Sequence, residues 1–310
     1  MSDGTKPVLV MMCGLAGSGK STLAHSMAEE INATVISSDE LREEMFGDIT
    51  DQTHNSEVFN ELHRRTKEYL ISGRNVIYDA CNISSKRRMG FLQQIGNIPC
   101  QKECTIMATP YNQCIKNNKN RDRIVPEYVI ERMYKQWHTP YWFEGWDNIE
   151  VHLSETPSNY AIYWPLDYLE YNQDNPHHNL SLGKHCMQAK YYLFETGDVC
   201  DNWFSTVVNA AAIHDCGKPF TKTFKNSKGE LTDVAHYYGH EHVGAYDSLL
   251  FKYDAGISQL DVSILVDLHM IPYAWEKENN NRLRNKYMKL WGNDLYHCVM
   301  ILHEADKAAH

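Results

Sequence analysis

Apolar positions fall into two regimes along the chain. Up to about residue 150, short apolar runs alternate with stretches of helical periodicity. Residues 7–13, PVLVMMC, form a continuous apolar run of the kind that a parallel sheet buries on both faces. After a glycine-rich turn, residues 20–31 have helical spacing. ATVIS (33–37) predicts a second strand, and 39–46 a helix that opens on Asp39 as its own acidic cap. An amphipathic helix is expected over 56–72, a third strand over 75–79, a fourth over 103–109, and a helix over 126–137 behind Pro126. Such alternation predicts an α/β domain, a parallel sheet with helices on both faces. The pattern stops near 150–165. From about 176 onward only helices are predicted, over 180–196, 203–213, 240–253, 258–270 and 290–308, so the second domain is expected to be all-α. The junction at 155–170 carries prolines and many aromatics, as a packed linker would. Domains are therefore placed at 1–160 and 161–310.

Composition narrows the class. A hydrophobic share of 43% with 23% charged residues suits a globular chain of 310 residues and argues against disorder. No run of eighteen apolar residues occurs, and the opening segment runs straight into the glycine turn. Neither signal peptide nor membrane span is expected, and a cytoplasmic location is. Nine cysteines with no Cys-x-x-Cys pair read as buried thiols of a reduced protein. A formal charge of −10 argues against coating long nucleic acid, though not against gripping a strand end. Histidine is the informative residue: eleven of sixteen lie after residue 176, so the second half is expected to have chemistry of its own.

The glycine turn is Gly14-Leu15-Ala16-Gly17-Ser18-Gly19-Lys20-Ser21, a full G-x-x-x-x-G-K-[ST] phosphate loop between a strand and a helix. Gly14, Gly17, Ser18, Gly19, Lys20, Ser21 and Thr22 are the candidate ATP-binding set. Backbone N–H groups and the helix N-terminus would face the phosphates, Lys20 would reach the β/γ-phosphates, and Ser21 would hold Mg²⁺. The second strand ends in Ser37-Ser38-Asp39-Glu40-Leu41-Arg42. Asp39 and Arg42, three apart, share a face of the first helical turn. A carboxylate there can deprotonate an attacking hydroxyl while the arginine holds a phosphate on the acceptor. Asp79 either assists the magnesium shell or simply closes the third strand. Lys86, Arg87 and Arg88 either touch phosphates or form a solvated basic turn.

A phosphate loop, then S-S-D-x-x-R, then VIYDACN (76–82), then a basic segment before Val-Pro resembles the polynucleotide 5′-kinases of nucleic-acid end healing, over about residues 8–150. The resemblance implies that Asp39 is the general base on a 5′-hydroxyl and that Arg42 grips the acceptor's 3′-phosphate. It also implies a lid that brings Arg121 or Arg123 to the ATP phosphates.

In the second half, Ala212-Ile213-His214-Asp215-Cys216-Gly217-Lys218 sets an imidazole beside a carboxylate at a helix end. His185, His240, His269 and Asp306 each fall on a separate predicted helix. The ordered set H…HD…H…H…D resembles the HD-domain metal phosphohydrolases, over roughly 175–310. That resemblance implies one divalent transition metal (Mn, Fe, Co, Ni or Zn) on His185, His214, Asp215 and Asp306. It implies a second on His240 and His269 in two-metal members, and Lys218 near the scissile phosphate. His177, His178, His236, His242 and His303 are alternates or supporting partners.

Together the halves resemble fusions of an HD phosphohydrolase with a polynucleotide kinase, in the reverse domain order. The implied activity is RNA or DNA end healing: ATP-dependent phosphorylation of a 5′-hydroxyl and removal of a 2′,3′-cyclic, 3′- or 2′-phosphate. A nucleic-acid ligase would act downstream, and no membrane partner is expected. Two alternatives stay open: a small-molecule kinase fused to a nucleotidase, and a kinase regulated by a nucleotide-sensing HD module.

Overall fold

A computed structural model describes residues 6–121, 123–157, 159–176, 178–196, 201–278 and 280–309. The chain divides into two compact units, one formed by Met1–Met133 and Pro140–Glu155, the other by Tyr134–Thr139 and Thr156–His310. Residues 134–139, expected to end a helix of the first domain, belong to the second unit.

The first unit is an α/β layer structure built on a five-stranded sheet. Its strands are β1 (Val8–Cys13), β2 (Ala33–Ser37), β3 (Asn75–Asp79), β4 (Gln101–Ala108) and β5 (Asn148–Leu153), hydrogen-bonded in the order β2-β3-β1-β4-β5. Every pairing is parallel. Val8–Cys13 is buried along nearly its whole length, as a central strand covered on both faces must be. The connecting helices are α1 (Lys20–Ile31), α2 (Ser38–Phe46), α3 (Asn55–Ile71), α4 (Ser85–Gln94), α5 (Tyr111–Lys119) and α6 (Glu127–Tyr134). α3 buries Val58, Leu62, Thr66 and Leu70, one stripe at a spacing of four. The cap of α2 is Ser37 rather than Asp39: its side chain accepts from the Asp39 N–H, leaving the Asp39 carboxylate available for other partners. α4, α5 and the edge strand β5 were not predicted, because their sequences are polar and their apolar periodicity is short.

Register positions the chemistry. Ser37 pairs with Asp79, so the C-terminal ends of β2 and β3 stand side by side. β1 lies between β3 and β4, and the crevice beyond the carboxyl ends of such a sheet is where α/β folds bind ligands.

Arg88 corrects the expectation of a solvated basic turn. Its side chain is fully buried, donating from Nε and Nη2 to the Glu144 carboxylate at 2.8 and 2.6 Å and from Nη1 to the Asn82 carbonyl at 2.7 Å. Trp146 Nε1 donates to the same carboxylate at 2.9 Å. Removing one member of such a pair strands a charge in the interior, so Arg88→Ala is expected to destabilise the first unit by about 3–5 kcal/mol. Urea unfolding would show it, and a loss below 1 kcal/mol would mean that water reaches Glu144.

The second unit is built mainly from helices: α7 (Leu182–Thr196), α8 (Asp201–Ile213), α9 (Lys218–Thr221), α10 (His240–Ser248), α11 (Gln259–Leu268), α12 (Ile271–Glu278), α13 (Asn281–Trp291) and α14 (Asn293–Ala308). α11 is buried at Leu260 and from Val262 through Leu268, which makes it the central helix of the unit. The unit is not all-α as expected. β6 (Thr223–Lys225) and β7 (Leu231–His236) form an antiparallel hairpin. Its turn is closed by Asn226, whose side-chain oxygen accepts from the Lys228 and Glu230 N–H groups. Helices predicted to reach 253 and 270 end at Ser248 and Leu268.

Among the described residues, no helix is long and apolar enough to cross a membrane.

Candidate functional sites

The phosphate loop joins β1 to α1. Gly17 has φ +82°, and a Cβ there would lie 2.3 Å from the Cys114 carbonyl oxygen. Only glycine satisfies both conditions, so α5 can pack directly behind the loop. Thr109 Oγ1 donates to the Ser18 carbonyl at 2.8 Å, and Asn117 Nδ2 to the Gly17 carbonyl at 2.9 Å. Lys20 is buried with Nζ 3.4 Å from the Leu15 carbonyl, across the mouth of the loop. Gly14, Gly19 and Ser18 complete the turn, and Thr22 is exposed on the first turn of α1.

Ser21 Oγ donates to Asp79 Oδ2 at 2.7 Å, while the second oxygen, Oδ1, is buried without a hydrogen-bond partner among the described residues. A hydroxyl and a half-satisfied carboxylate beside a phosphate loop are a donor set for Mg²⁺. Of the two sequence readings of Asp79, the geometry favours the magnesium shell.

Asp39 and Arg42 meet as their spacing implies, with Nη1 3.0 Å from Oδ1. Arg42 is only 4% exposed; Nη1 also donates to the Ser38 carbonyl, and Nη2 to Asn55 Oδ1 at 2.9 Å. Asn55, which periodicity marks only as the start of a helix, therefore fixes the guanidinium. Arg123 hydrogen-bonds the same Asp39 oxygen, and Arg121 lies 3.9 Å from the other. Three guanidinium groups thus converge on one carboxylate.

The second site forms where helix ends converge. His214 and Asp215 lie on the turn between α8 and α9, His240 opens α10, His269 follows α11, His185 is in α7 and Asp306 in α14. Gly217 sets the distances: a Cβ there would lie 2.1 Å from the His240 carbonyl oxygen, so only glycine lets the start of α10 approach Asp215. Asp215 faces two groups. Its Oδ2 lies 3.4 Å from both His185 Nε2 and His214 Nε2, and Asp306 Oδ1 lies 3.0 and 3.4 Å from the same two nitrogens. Its Oδ1 lies 3.2 Å from His240 Nε2 and 3.9 Å from His269 Nε2.

The four rings are oriented alike. Each turns Nδ1 to a backbone carbonyl: His185 to Ala309 at 3.2 Å, His214 to Ala211 at 2.9 Å, His240 to Tyr237 at 2.8 Å and His269 to Val266 at 2.7 Å. A carbonyl only accepts, so Nδ1 carries the proton and the Nε2 lone pairs point inward. Two such nitrogens, of His185 and His214, stand 3.1 Å apart. Two lone pairs and two carboxylates at that range are a donor set that a divalent cation would satisfy. The spacing of 3.0–3.4 Å is what donors adopt around an ion held at about 2.1 Å. The Nε2 atoms of His240 and His269 are buried without a hydrogen bond among the described residues. Burial, then the neighbouring His240 and His214, pushes the His269 imidazole down to about 4, so it is a neutral ligand near pH 7. Burial opposes charge on His214, yet Asp215 and Asp306 lift its imidazole well above the usual range. The residues therefore offer donors for one divalent ion in the His185–His214–Asp306 group, with Asp215 Oδ2 3.4 Å from both imidazoles, and for a second in the Asp215–His240–His269 group.

Lys218, at the start of α9, places Nζ 2.6 Å from Asp215 Oδ2 and 2.8 Å from Gln173 Oε1. Burial works against charge on Asp215, but Lys218 and His214 hold its carboxyl well below the usual range. Tyr273 donates to Asp306 Oδ2 at 2.9 Å. Gln173 and Tyr273 lie outside the helical pattern that identified the ligands, and no sequence signal marked them. Cys186 also approaches His214 and Asp215, but burial pushes its thiol up to about 12.

Of the alternate histidines, His178 lies beside the cluster, and His236, His242 and His303 contact groups outside it. His178 Nε2 is 3.3 Å from Lys218 Nζ, His236 contacts Thr232, and His242 bonds Asp267 at 2.8 Å. His303 bonds Glu276 at 3.0 Å. His177 lies outside the described residues.

Comparison with known proteins covers mainly the first unit. Residues 9–140 match the family model described as AAA domain. L-seryl-tRNA(Sec) kinase of Methanococcus maripaludis is 24% identical over 154 residues, 48% of this chain and 60% of that protein. The chain therefore spans less than two thirds of that relative's length. Among solved structures, the Pnkp1/Rnl/Hen1 RNA repair complex is 24% identical over 44% of this chain and 45% of its own, with a TM-score of 0.37. A gluconokinase from Sinorhizobium meliloti 1021 is 17% identical over 49% of this chain and 86% of its own, with a TM-score of 0.35.

Proposed function

We propose that this chain heals nucleic-acid ends, with an ATP-dependent 5′-hydroxyl kinase in the first unit and a metal-dependent HD-type phosphohydrolase in the second. The observation that carries the kinase half is the placement of Asp39 and Arg42 on the first turn of α2, beyond the strand end that pairs with Asp79. In this reading the phosphate loop and Lys20 hold ATP, with Ser21 and Asp79 holding its Mg²⁺. Asp39 takes the proton from the attacking hydroxyl, and Arg42, fixed by Asn55, holds the acceptor. Arg121 and Arg123 neutralise Asp39 until phosphate oxygens compete for them. The relative named as a seryl-tRNA kinase is consistent with an acceptor carried on RNA.

In the second unit, His185, His214, Asp215 and Asp306 would hold one divalent ion, and Asp215, His240 and His269 another. Bound there, the ions supply an activated water and neutralise the phosphate. Lys218 holds a phosphate oxygen beside them, and the neighbouring Lys218 ammonium and imidazoles keep the carboxylates ionised against their burial. Opening a 2′,3′-cyclic phosphate at its P–O3′ bond adds water's oxygen to phosphorus, returns a proton to ribose O3′ and leaves the phosphate as a monoester on O2′. The products of the two sites, a 5′-phosphate and a freed 3′ end, are the ends that a ligase joins.

The test is a short RNA with a 5′-hydroxyl and a 2′,3′-cyclic phosphate, incubated with ATP, Mg²⁺ and Mn²⁺. Wild type is expected to change both ends, Lys20→Ala only the 3′ end, and Asp215→Ala only the 5′ end. If neither end changes while free nucleosides or nucleotides turn over, a small-molecule kinase joined to a nucleotidase replaces the proposal.

A further inference from the structure

The hairpin after α9 lies outside the ligand set, yet it is continuous with it. Between residues 218 and 238 the sequence carries four lysines, Lys218, Lys222, Lys225 and Lys228, against Glu230 and Asp233, in a chain of net charge −10. The lysines are interleaved with aromatic rings. Lys218 Nζ, at the metal-ligand cluster, lies 5.4 Å from the Tyr237 ring. One helical turn on, Lys222 Nζ lies 4.8 Å from the Tyr171 ring and 6.0 Å from the Phe224 ring. Lys222 is also held by Asp174 at 2.6 Å and by the Asn172 carbonyl at 2.8 Å. The rings of His236 and Tyr238 stack in parallel, their centroids 5.5 Å apart. Phe224 and Tyr238 are 42% and 50% exposed, more than a packing role requires. Lys225 and Lys228 are exposed and make no salt bridge among the described residues.

We infer that this hairpin is a single-strand nucleic-acid platform that leads a 3′ end into the His–Asp cluster. Flat rings accept bases of any sequence, and the lysines beside them track the phosphates. Lys218 and Lys222 are already paired with Asp215 and Asp174, so the cations open to a strand are Lys225 and Lys228, which lie further along the hairpin than a mononucleotide seated at Lys218 and so suit a strand end. Glu230 is turned to the tip, where Asn226 Nδ2 holds it at 2.7 Å. The inference rests on the hydrolytic reading of the second site for the identity of the end, but not for the binding itself.

Two variants of different kinds test it in the full chain: Phe224→Ala with Tyr238→Ala, and Lys225→Glu with Lys228→Glu. All four side chains are exposed. The probe is a 5′-fluorescein RNA decamer ending in a 3′-phosphate, whose blocked 5′ end cannot serve as a kinase acceptor, read by anisotropy. Each double variant is expected to weaken binding about tenfold or more. The lysine variant is also expected to flatten the salt dependence by about 0.7 in logarithmic slope per lost phosphate contact. Turnover of 2′,3′-cyclic AMP should match wild type while KM for the decamer with a cyclic end rises. Binding unchanged in both variants overturns the inference, whatever the turnover. So does an equal loss on mononucleotide and decamer, which would make the hairpin mere support for the cluster. Hairpin-dependent binding by a wild type that hydrolyses neither substrate would leave the platform standing and remove the hydrolytic reading.

Discussion

Asp215→Ala is expected to empty the second unit of metal and to abolish phosphohydrolysis, while 5′-phosphorylation continues. Its two oxygens face different imidazole sets, Oδ2 toward His185 and His214, Oδ1 toward His240. Removing one residue therefore takes a ligand from both candidate ion positions and leaves the Lys218 ammonium buried without a counter-charge, beside Gln173 and His178. Loss of an outer partner of a metal ligand costs about 10–100-fold, so loss of this shared ligand should exceed 100-fold in activity. Metal analysis of purified protein separates the two ion positions. Wild type loaded with Mn²⁺ should hold two ions per chain and Asp215→Ala none. Asp306→Ala should keep the position served by His240 and His269, because Asp306 closes only on His185 and His214. Retention of both ions in Asp215→Ala would mean that the histidines alone form the sites, and the assignment of Asp215 as a shared ligand would fall.

The sequence carried much of this arrangement because both sites use chemistry that local spacing constrains. Gly14–Ser21 has a single economical conformation between a buried strand and a helix, and Asp39 and Arg42 are joined by one helical turn. The candidate ligands of the second unit stand out by residue type, since they lie on or beside five different helices. What was missed depends on contacts distant in sequence. Arg88 looks like its neighbours Lys86 and Arg87, and only the return of Glu144, 56 residues later, buries it. Asn55 and Gln173 matter because of what they hold, Arg42 and Lys218, and not because of any pattern they belong to. The hairpin had a readable signal in its Asn-Ser-Lys-Gly turn between alternating segments, but β6 spans three residues and the surrounding helices dominated the reading.

In the first unit, Asp39→Asn is expected to slow 5′-phosphoryl transfer by about 10²–10⁴-fold, the usual worth of a positioned general base. The amide preserves the shape, and its oxygen can still accept from Arg42 and Arg123, so the helix start and the guanidinium cluster should persist. What it cannot do is take a proton from the acceptor hydroxyl. ATP affinity should change little, because Lys20, Ser21 and Asp79 stand apart from the Asp39 hydrogen bonds. The informative comparison is with Ser21→Ala, which removes the hydroxyl on Asp79 and should weaken the dependence on Mg²⁺ as well as the rate. Single-turnover assays on a 5′-hydroxyl strand at saturating ATP give the transfer step directly. If Asp39→Asn transfers within tenfold of wild type, the carboxylate serves to gather Arg42, Arg121 and Arg123, and proton removal must be assigned elsewhere. If transfer collapses while ATP binding holds, the convergence of three guanidinium groups on Asp39 acquires a function. They hold the carboxylate in place, and they stand beside it where phosphate oxygens arrive.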